Sequence, residues 1–319
     1  MVEGLDVYVG PAAGVAASAL WTATSCFFTA AGRRLGATVV NGTRIGLAII
    51  LLAVTHFLLA GTWIPDVLPR QVLFLALSGV VGLAIGDQAL FRAYIDIGPR
   101  LAMLMMTTSP LFAAFFGWIA LGERLEGVAW LGVLLTVGGV AWVVLERPRG
   151  GPVVESKLRA RGILLGVVAA ACQAAGLLLS KQGMGHGWLP ESQHLTAQAA
   201  TLVRMAFAGV GVVPFLYIHH LRRRARVPSV TEPRGVGSRR AGFLFTAAGA
   251  MVGPYLGVWM SLVASDRAPL GIAQTLCSLT PVFILPFAAR IQNERISPRA
   301  VIGAFVAVSG AAVLFLAPG

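Results

Sequence analysis

The sequence predicts an all-α integral membrane protein of ten transmembrane helices, arranged as two inverted five-helix repeats. Its composition is 57% hydrophobic and only 12% charged, with a mean hydropathy of +0.80, which lies outside the range of soluble globular domains. Its apolar runs are close to the roughly 20 residues that span a hydrocarbon core, and lipid permits such runs only as helices or closed barrels. The stretch 81–145 also recurs without a gap as 252–316.

The repeat is defined by identical residues at a constant offset of 171 positions. The matched pairs are Gly82 and Gly253, Gly86 and Gly257, Pro110 and Pro281, Phe112 and Phe283, Phe116 and Phe287, Glu123-Arg124 and Glu294-Arg295, Gly132 and Gly303, and Gly139 and Gly310. Self-similarity at a fixed offset indicates a duplicated unit. The last four glycines recur at seven-residue spacing along spans 5 and 10, so they place small residues on one face of each helix and predict close helix contact at those faces.

The ten spans follow from apolar runs that end at charges or at Pro and Gly clusters. They are predicted at 11–32, 38–60, 71–91, 101–121, 127–145, 162–182, 195–219, 241–264, 269–289 and 299–317. The chain therefore divides into a first repeat at 1–145, a basic linker at 146–161 and a second repeat at 162–319. The glycine-rich run 183–187 lacks the ending and the preceding strand of a phosphate-binding loop, so we interpret it as a flexible connection.

The charges fix an expected topology. Of the 25 Lys and Arg residues, 19 follow odd-numbered spans, whereas loops after even-numbered spans carry few. Five spans per repeat make the two copies enter the membrane in opposite orientations, and the positive-inside rule then places both termini outside. Because these cations lie in loops, the net charge of +12 indicates topology rather than nucleic-acid binding. No basic segment precedes the first span, so a cleaved signal peptide is not expected.

The two copies of the central stretch carry motifs of a known family. Ser109-Pro110-Leu111-Phe112 precedes Gly122-Glu123-Arg124-Leu125, and Thr280-Pro281-Val282-Phe283 precedes Glu294-Arg295-Ile296-Ser297. In these motifs the chain resembles the drug/metabolite transporter superfamily, specifically its ten-helix EamA-type members. The resemblance implies a multi-pass carrier of the cytoplasmic (inner) membrane that works by alternating access, as a monomer or homodimer. It also implies that spans 1, 3, 6 and 8 line the pathway.

The chain departs from this family pattern in three respects. Asn293 stands where the first copy has Gly122, and Arg92, Asp96 and Arg100 give the third connection unusual charge. Better-known eukaryotic relatives place both termini in the cytosol, opposite to the charge-based expectation, so the orientation stays open at this point.

Ionisable residues inside apolar runs are the first candidates for function, because each needs a partner, a cavity or a purpose in lipid. Asp87 is the only carboxylate predicted well inside a span, and its mate in the repeat is Val258. It either serves substrate or proton binding or pairs with Arg92 or Arg44. Arg204 is also deep. Arg44, Lys181 and Asp266 lie near helix ends, where snorkelling would suffice, and a packing role is favoured for His56.

A polar and aromatic wall completes the predicted site. The substrate-binding candidates are Trp21, Thr24, Asp87, Gln88, Gln173, Arg204, Tyr255 and Trp259. Helical spacing puts Trp21 and Thr24 on one face and Tyr255 and Trp259 on another. The alternative for each aromatic residue is packing or interfacial anchoring. Pro110, Pro254, Pro281 and Pro286 are expected to break or kink their helices, and the two Glu-Arg pairs are interpreted as gating or structural pairs.

These features predict a secondary transporter of a small organic metabolite, such as an amino acid or a related compound. Export driven by proton exchange or by the solute gradient is expected. The alternatives are a lipid-carrier flippase and a membrane sensor that binds without transport. An intramembrane enzyme is disfavoured because no His-Glu-x-x-His motif or Ser/His/Asp set is present. No catalytic residue, cofactor or metal site is predicted, and the three cysteines lack metal-ligand spacing. The expected partners are the solute, protons and the bilayer.

Overall fold

The computed structural model describes residues 3–35, 37–145, 156–188, 194–225, 239–280, 282–283 and 298–316, and the regular secondary structure within them is helical. The helices, numbered in chain order with two π-helical segments, are α1 Glu3–Leu35, α2 Ala37–Ala60, α3 Pro69–Ser78, π1 Gly79–Gly86, α4 Asp87–Met106, α5 Ser109–Leu121, α6 Gly127–Leu145, α7 Ser156–Gly183, α8 Ala197–Ala225, α9 Arg239–Ala250, π2 Met251–Gly257, α10 Val258–Arg267, α11 Leu270–Cys277 and α12 Pro298–Leu316.

Hydropathy and length identify membrane-crossing helices in this set. Five are both long and apolar enough to span a bilayer, namely Val39–Ala60, Pro69–Leu90, Lys157–Gly183, Ala197–Ile218 and Arg239–Arg267. Shorter apolar helices cover Ser109–Leu121, Gly127–Trp142 and Val301–Leu314. Together with α1 and the interrupted ninth span, they confirm the predicted ten-helix membrane fold, in which each half contributes five spans.

The two halves exchange their first helices. Helix α1 packs on α9, π2 and α10 of the second half, while α7 packs on α3, π1 and α4 of the first half. Hydrogen bonds hold each exchange: Ser18 donates to the carbonyl of Leu276 at 2.8 Å, and the hydroxyls of Ser78 and Ser180 are 2.7 Å apart. The core of the molecule is therefore built between the repeats rather than within them.

Helices α6 and α12, which carry the evenly spaced glycines, form the other large contact between the halves. A Cβ at Gly139 would lie 2.4 Å from the backbone nitrogen of Ala307, and one at Gly310 would lie 2.5 Å from that of Thr136. Thr136 also donates to the Ala307 carbonyl at 3.4 Å. The backbones approach so closely that only glycine fits, as expected for close helix contact at these faces, and the structure shows that spans 5 and 10 are each other's partners.

Span 4 is not the continuous helix predicted at 101–121. Helix α4 ends at Met106, a turn follows at Thr107 and Thr108, and α5 begins at Ser109 with Pro110 in its first turn. Proline has no N–H and its ring clashes with the preceding turn, so the helix must restart there. The second half repeats this break, because α11 ends at Cys277 before a turn at residues 278–279. Pro281 and Pro286 lie outside the described residues.

The predicted connection at 92–100 is also corrected by the structure. The chain runs helically from α3 through π1 to the end of α4 at Met106, without a loop between spans 3 and 4. Charged Arg92 and Asp96 interrupted the apolar pattern and suggested a loop. Asp96 is instead buried against α7, where Arg161 pairs with it. In the second half the chain does leave the helix, at Ala268.

Candidate functional site

A buried ion pair joins α2 to the first residue of α4. The Nη2 atom of Arg44 lies 2.9 Å from Oδ2 of Asp87, and the two side chains are 11% and 18% exposed. Arg44 also donates from Nε to Asn41, and its guanidinium lies 5.5 Å from the centre of the Phe28 ring. Pairing with Arg44 is one of the two roles that the sequence left open for Asp87. It also shows that Arg44 does not snorkel, because its head group is committed to a partner inside the helix bundle.

Arg204 supplies a second buried cation to the same region. It is 3% exposed on α8 and packs against glycines of π1 and α7, so that its Nη2 atom would lie 2.9 Å from a Cβ at Gly82 and 3.2 Å from one at Gly176. Within the described residues its Nε atom has no hydrogen-bond partner. Arg204 interacts electrostatically with Asp87. The Arg44, Asp87 and Arg204 set therefore carries two positive charges and one negative charge.

The π-helical segments occupy equivalent positions in the two repeats and lie beside this set. Asp87 directly follows π1, and its repeat mate Val258 directly follows π2. Each segment is pressed against the exchanged first helix: a Cβ at Gly82 would approach Gly176, and one at Gly253 would lie 2.5 Å from the Thr24 hydroxyl. π-helical geometry inside an α-helix is rare and occurs often at functional sites. The duplication of the segments in both halves is a feature that the sequence analysis did not find.

The predicted aromatic residues form a half-buried wall next to the main core. The rings of Tyr255 and Trp259 are 6.1 Å apart, and Tyr255 shares a 2.7 Å hydrogen bond with the hydroxyl of Thr55. The indole of Trp21 faces π2, 3.4 Å from where a Cβ at Gly257 would lie. The structure thus places Trp21 and Tyr255 on facing elements of the two halves, and Trp259 extends the wall toward one end of the bundle.

A cavity of about 420 Å³ opens at that end. It is lined by Val9, His56, Leu59, Ala60, His194, Thr196, Ala197, Gln198, Trp259, Val263, Asp266 and Arg267. His56 is buried in its wall and hydrogen-bonded to Gln198 at 2.9 Å, in keeping with a packing role. Of the predicted substrate-binding residues, only Trp259 lines this cavity. The others lie among the helices, away from its mouth.

The remaining predicted residues differ in their surroundings. Thr24 is buried, and its hydroxyl has no hydrogen-bond partner within the described residues. Gln88 and Gln173 are half-buried and make no hydrogen bond to another described residue. Gln88 directly follows Asp87 in α4, and Gln173 lies on α7.

Two further ion pairs cross between the halves, one at each end of the bundle. Lys181 lies 2.5 Å from Glu123 and donates to the Ala268 carbonyl at 2.8 Å, while Glu123 accepts from the Leu270 amide. Lys181 is therefore buried and paired, which corrects the expectation that it snorkels. At the other end, Arg161 binds both Asp96 oxygens at 2.7 Å. Glu294 and Arg295 lie outside the described residues.

The hydrogen bond from Arg161 holds the pKa of the Asp96 carboxyl below its ordinary value. Desolvation opposes this shift but is the smaller influence. Asp96 lies beyond the end of the span Pro69–Leu90, so this pair belongs to the boundary of the bundle. Sequence reasoning missed both cross-half pairs because their partners are about 60 residues apart and meet only through the exchange of α7.

This arrangement of apolar helices, duplicated π segments and a charged set buried between two inverted halves defines a multi-pass integral membrane transporter. Comparison with known families identifies it further: the chain matches the EamA-like transporter family twice, over residues 9–145 and 160–316. The chain therefore belongs to that family, within the drug/metabolite transporter superfamily. No curated protein matches it. A solved structure titled "Crystal structure of protein" has a similar fold, with a TM-score of 0.72, 19% identity and 96% coverage of both chains.

Proposed function

We propose that the chain is a secondary exporter of a small zwitterionic metabolite of the amino-acid class, acting in the cytoplasmic (inner) membrane by alternating access. The observation that supports this substrate class is the Arg44, Asp87 and Arg204 set, which presents both signs of charge between the two halves. Burying a charge without a partner costs several kcal/mol, roughly, so a solute that brings complementary charges is favoured there.

The two ends of an amino acid have distinct counterparts in this set. Asp87 offers a carboxylate to the solute ammonium group, and Arg204 offers a guanidinium to the solute carboxylate. Arg204 suits the second role because its buried Nε atom has no protein partner within the described residues. A guanidinium binds carboxylates through paired N–H donors, which fixes orientation as well as charge. Trp21 and Tyr255 would then contact the solute side chain.

Proton coupling follows from competition at one carboxylate. The solute ammonium group requires ionised Asp87, whereas a proton neutralises it, so the two ligands exclude one another. Arg44, 2.9 Å from the carboxylate, is the counter-ion that either ligand would displace. A site that carries a proton in one direction and an ammonium group in the other needs no further machinery for exchange. The proton gradient would then drive export.

Alternating access requires contacts that open in turn at the two ends of the bundle. The pair of Lys181 with Glu123 and the pair of Arg161 with Asp96 both join one half to the other at opposite ends. In this proposal the two pairs act as gates, and rocking of the halves breaks one while the other holds. The matched positions of π1 and π2 supply a symmetric place for the helices to adjust.

The proposal is tested by purified protein in proteoliposomes loaded with an unlabelled amino-acid mixture. Uptake of labelled amino acids by counterflow, absent from empty vesicles, is the expected result. Before this assay, a comparison of amino-acid release from cells with and without the protein reduces the number of candidate substrates. Binding without counterflow would favour a sensor, and movement of labelled lipid carrier instead of amino acids would favour a flippase; either outcome overturns the proposal.

A further inference from the structure

A second polar cluster lies at the mouth of the cavity, apart from the Arg44, Asp87 and Arg204 set. The Nε2 atoms of His186 and His194 lie 2.8 Å and 2.9 Å from the same oxygen of Asp266. The three ligand atoms all lie within 4.8 Å of one another, and no other group of this kind occurs among the described residues. Three chain segments contribute: the turn that follows α7, the residues just before α8 and the end of α10.

The described backbone next to each histidine brings the two imidazoles together. His186 lies between Gly185 and Gly187, whose φ values of 101° and 75° are left-handed conformations that side chains rarely adopt. The amide of Leu195 donates to the Met184 carbonyl at 2.8 Å, which sets His194 beside His186. The two imidazoles meet edge to face with centres 5.7 Å apart. The glycine-rich run 183–187, which the sequence analysis interprets as a flexible connection, forms a hydrogen-bonded turn.

We propose that His186, His194 and Asp266 bind a divalent transition-metal ion of the zinc type. Two imidazole nitrogens and one carboxylate oxygen are a common ligand set for zinc with an open coordination position. With metal–ligand bonds of about 2.1 Å, donor atoms in a tetrahedral site lie about 3.4 Å apart. The two distances from the histidine nitrogens to the Asp266 oxygen, 2.8 Å and 2.9 Å, therefore need to lengthen by about 0.5 to 0.6 Å to admit the ion.

The surroundings fit this role. The Asp266 side chain is 7% exposed, and its second oxygen lies 3.4 Å from Nε of Arg267, an outer contact that orients a ligating carboxylate. His186 and His194 are 30% and 45% exposed, and His194 and Asp266 line the cavity. The fourth coordination position thus faces space that water or a solute carboxylate can enter. The bound ion would also fasten the connection of α7 and α8 to α10.

The test uses full-length protein carrying an affinity tag without histidines, stripped with a chelator and titrated with Co²⁺ and then Zn²⁺. We expect one equivalent of Co²⁺ to give visible d–d absorption bands of a low-symmetry site, and Zn²⁺ to abolish them. The single variants His194→Ala and Asp266→Asn should weaken binding at least about 10- to 100-fold, the loss that even outer-shell changes cause. His56→Gln, in the wall of the same cavity, is the matched control and should bind as the wild type.

Three further measurements distinguish metal binding at this site from a folding defect and from metal binding by cysteine. Size-exclusion profiles confirm that each variant is folded, and Zn²⁺ should raise the melting temperature of the wild type and of His56→Gln but not of Asp266→Asn. Replacing Cys26, Cys172 and Cys277 with serine should leave the Co²⁺ spectrum unchanged. Wild-type protein that binds no stoichiometric ion, or a folded His186→Ala/His194→Ala variant that binds as tightly as wild type, overturns the proposal. Neither result bears on amino-acid transport.

Discussion

At the scale of single residues, Asp87 has two roles to reconcile, since it is paired with Arg44 and is also the proposed proton-exchanging group. Asp87→Asn keeps the size and the hydrogen-bonding capacity of the side chain but removes its charge. Arg44 retains its contacts with Asn41 and Phe28. We expect the variant to fold and insert, with stability reduced by no more than the roughly 3–5 kcal/mol that breaking a buried ion pair costs.

Transport by Asp87→Asn should lose its pH dependence while slow counterflow persists. Counterflow rates measured at several external pH values give the comparison, with Asp66→Asn in the exposed loop after α2 as the control. If Asp87→Asn keeps the pH profile of the wild type, the carboxylate serves only the ion pair. If Asp87→Asn fails to fold but the double variant Arg44→Gln/Asp87→Asn folds, the carboxylate likewise serves only to neutralise Arg44.

The sequence identified Asp87 and Arg204 as deep ionisable residues because charges stand out within apolar runs. It could not choose between Arg44 and Arg92 as the partner of Asp87. Helical spacing relates residues on one helix, whereas this choice depends on which helices are neighbours. The cluster of His186, His194 and Asp266 was beyond prediction for the same reason, since its members are as far as 80 residues apart.

At the scale of elements, the contact between α6 and α12 is the most sharply defined. A side chain at Gly139 would meet backbone atoms of Gly303 and Ala307, which cannot move aside without separating the helices. Gly139→Leu should therefore reduce the free energy of unfolding by about 1–3 kcal/mol or more, the cost of overpacking a site. Folded yield and melting temperature in detergent should both fall. Gly138→Leu is the matched control, because no atom lies within 4 Å of a Cβ at Gly138. Equal yield from the two variants would contradict the described packing.

The ion pair of Asp96 and Arg161 joins α4 to α7, and its contribution to the stability of the fold should depend on pH. Because the pKa of Asp96 is lowered in the folded protein, the pair stabilises the fold above the usual aspartate pKa of about 4 and loses this effect as the pH falls through the lower folded value. Melting curves should show Asp96→Asn less stable than wild type at neutral pH, with the difference shrinking in acid. A difference that is constant with pH would show that ionisation of Asp96 does not matter.

Several features of the elements were accessible from sequence and others were not. Pro110 predicted a break in its helix, and the structure has one two residues earlier. The helical path through Arg92 and Asp96 was not predicted, because a charge inside an apolar run normally marks a loop. It is tolerated here because Arg161 neutralises Asp96 from α7. The π segments have no marker in the hydropathy pattern, although glycines recur in both.

At the scale of the whole molecule, the repeat in the sequence was enough to predict ten helices in two inverted halves. It was not enough to predict that the halves exchange α1 and α7, because an apolar face in lipid gives no indication of which neighbour it contacts. Ser18 and Ser78 are buried small polar residues whose partners lie in the other half. Small polar residues of this kind indicate that a helix packs against another in the membrane, but they do not identify which helix is the partner.

The orientation in the membrane is a prediction of the loop charges, since 19 of the 25 cations follow odd-numbered spans. Single cysteines at Ser229 and Ser238, which lie outside the described residues, should resist membrane-impermeant thiol reagents in intact cells. A cysteine at Asp66, in the loop between α2 and α3, should be labelled rapidly. The opposite pattern would reverse the orientation and leave the inverted repeat unchanged.

The most direct test of a solute site between the halves is amino-acid counterflow in proteoliposomes by Arg204→Gln, compared with Arg70→Gln. Arg204 is buried beside Asp87, whereas Arg70 is exposed at the start of α3. If Arg204 binds the solute carboxylate, Arg204→Gln should raise the half-saturating concentration at least about 10-fold, since a charge-assisted hydrogen bond contributes roughly 1.5–3 kcal/mol. Arg70→Gln should transport as the wild type. Folded Arg204→Gln protein with wild-type counterflow and affinity would contradict the account.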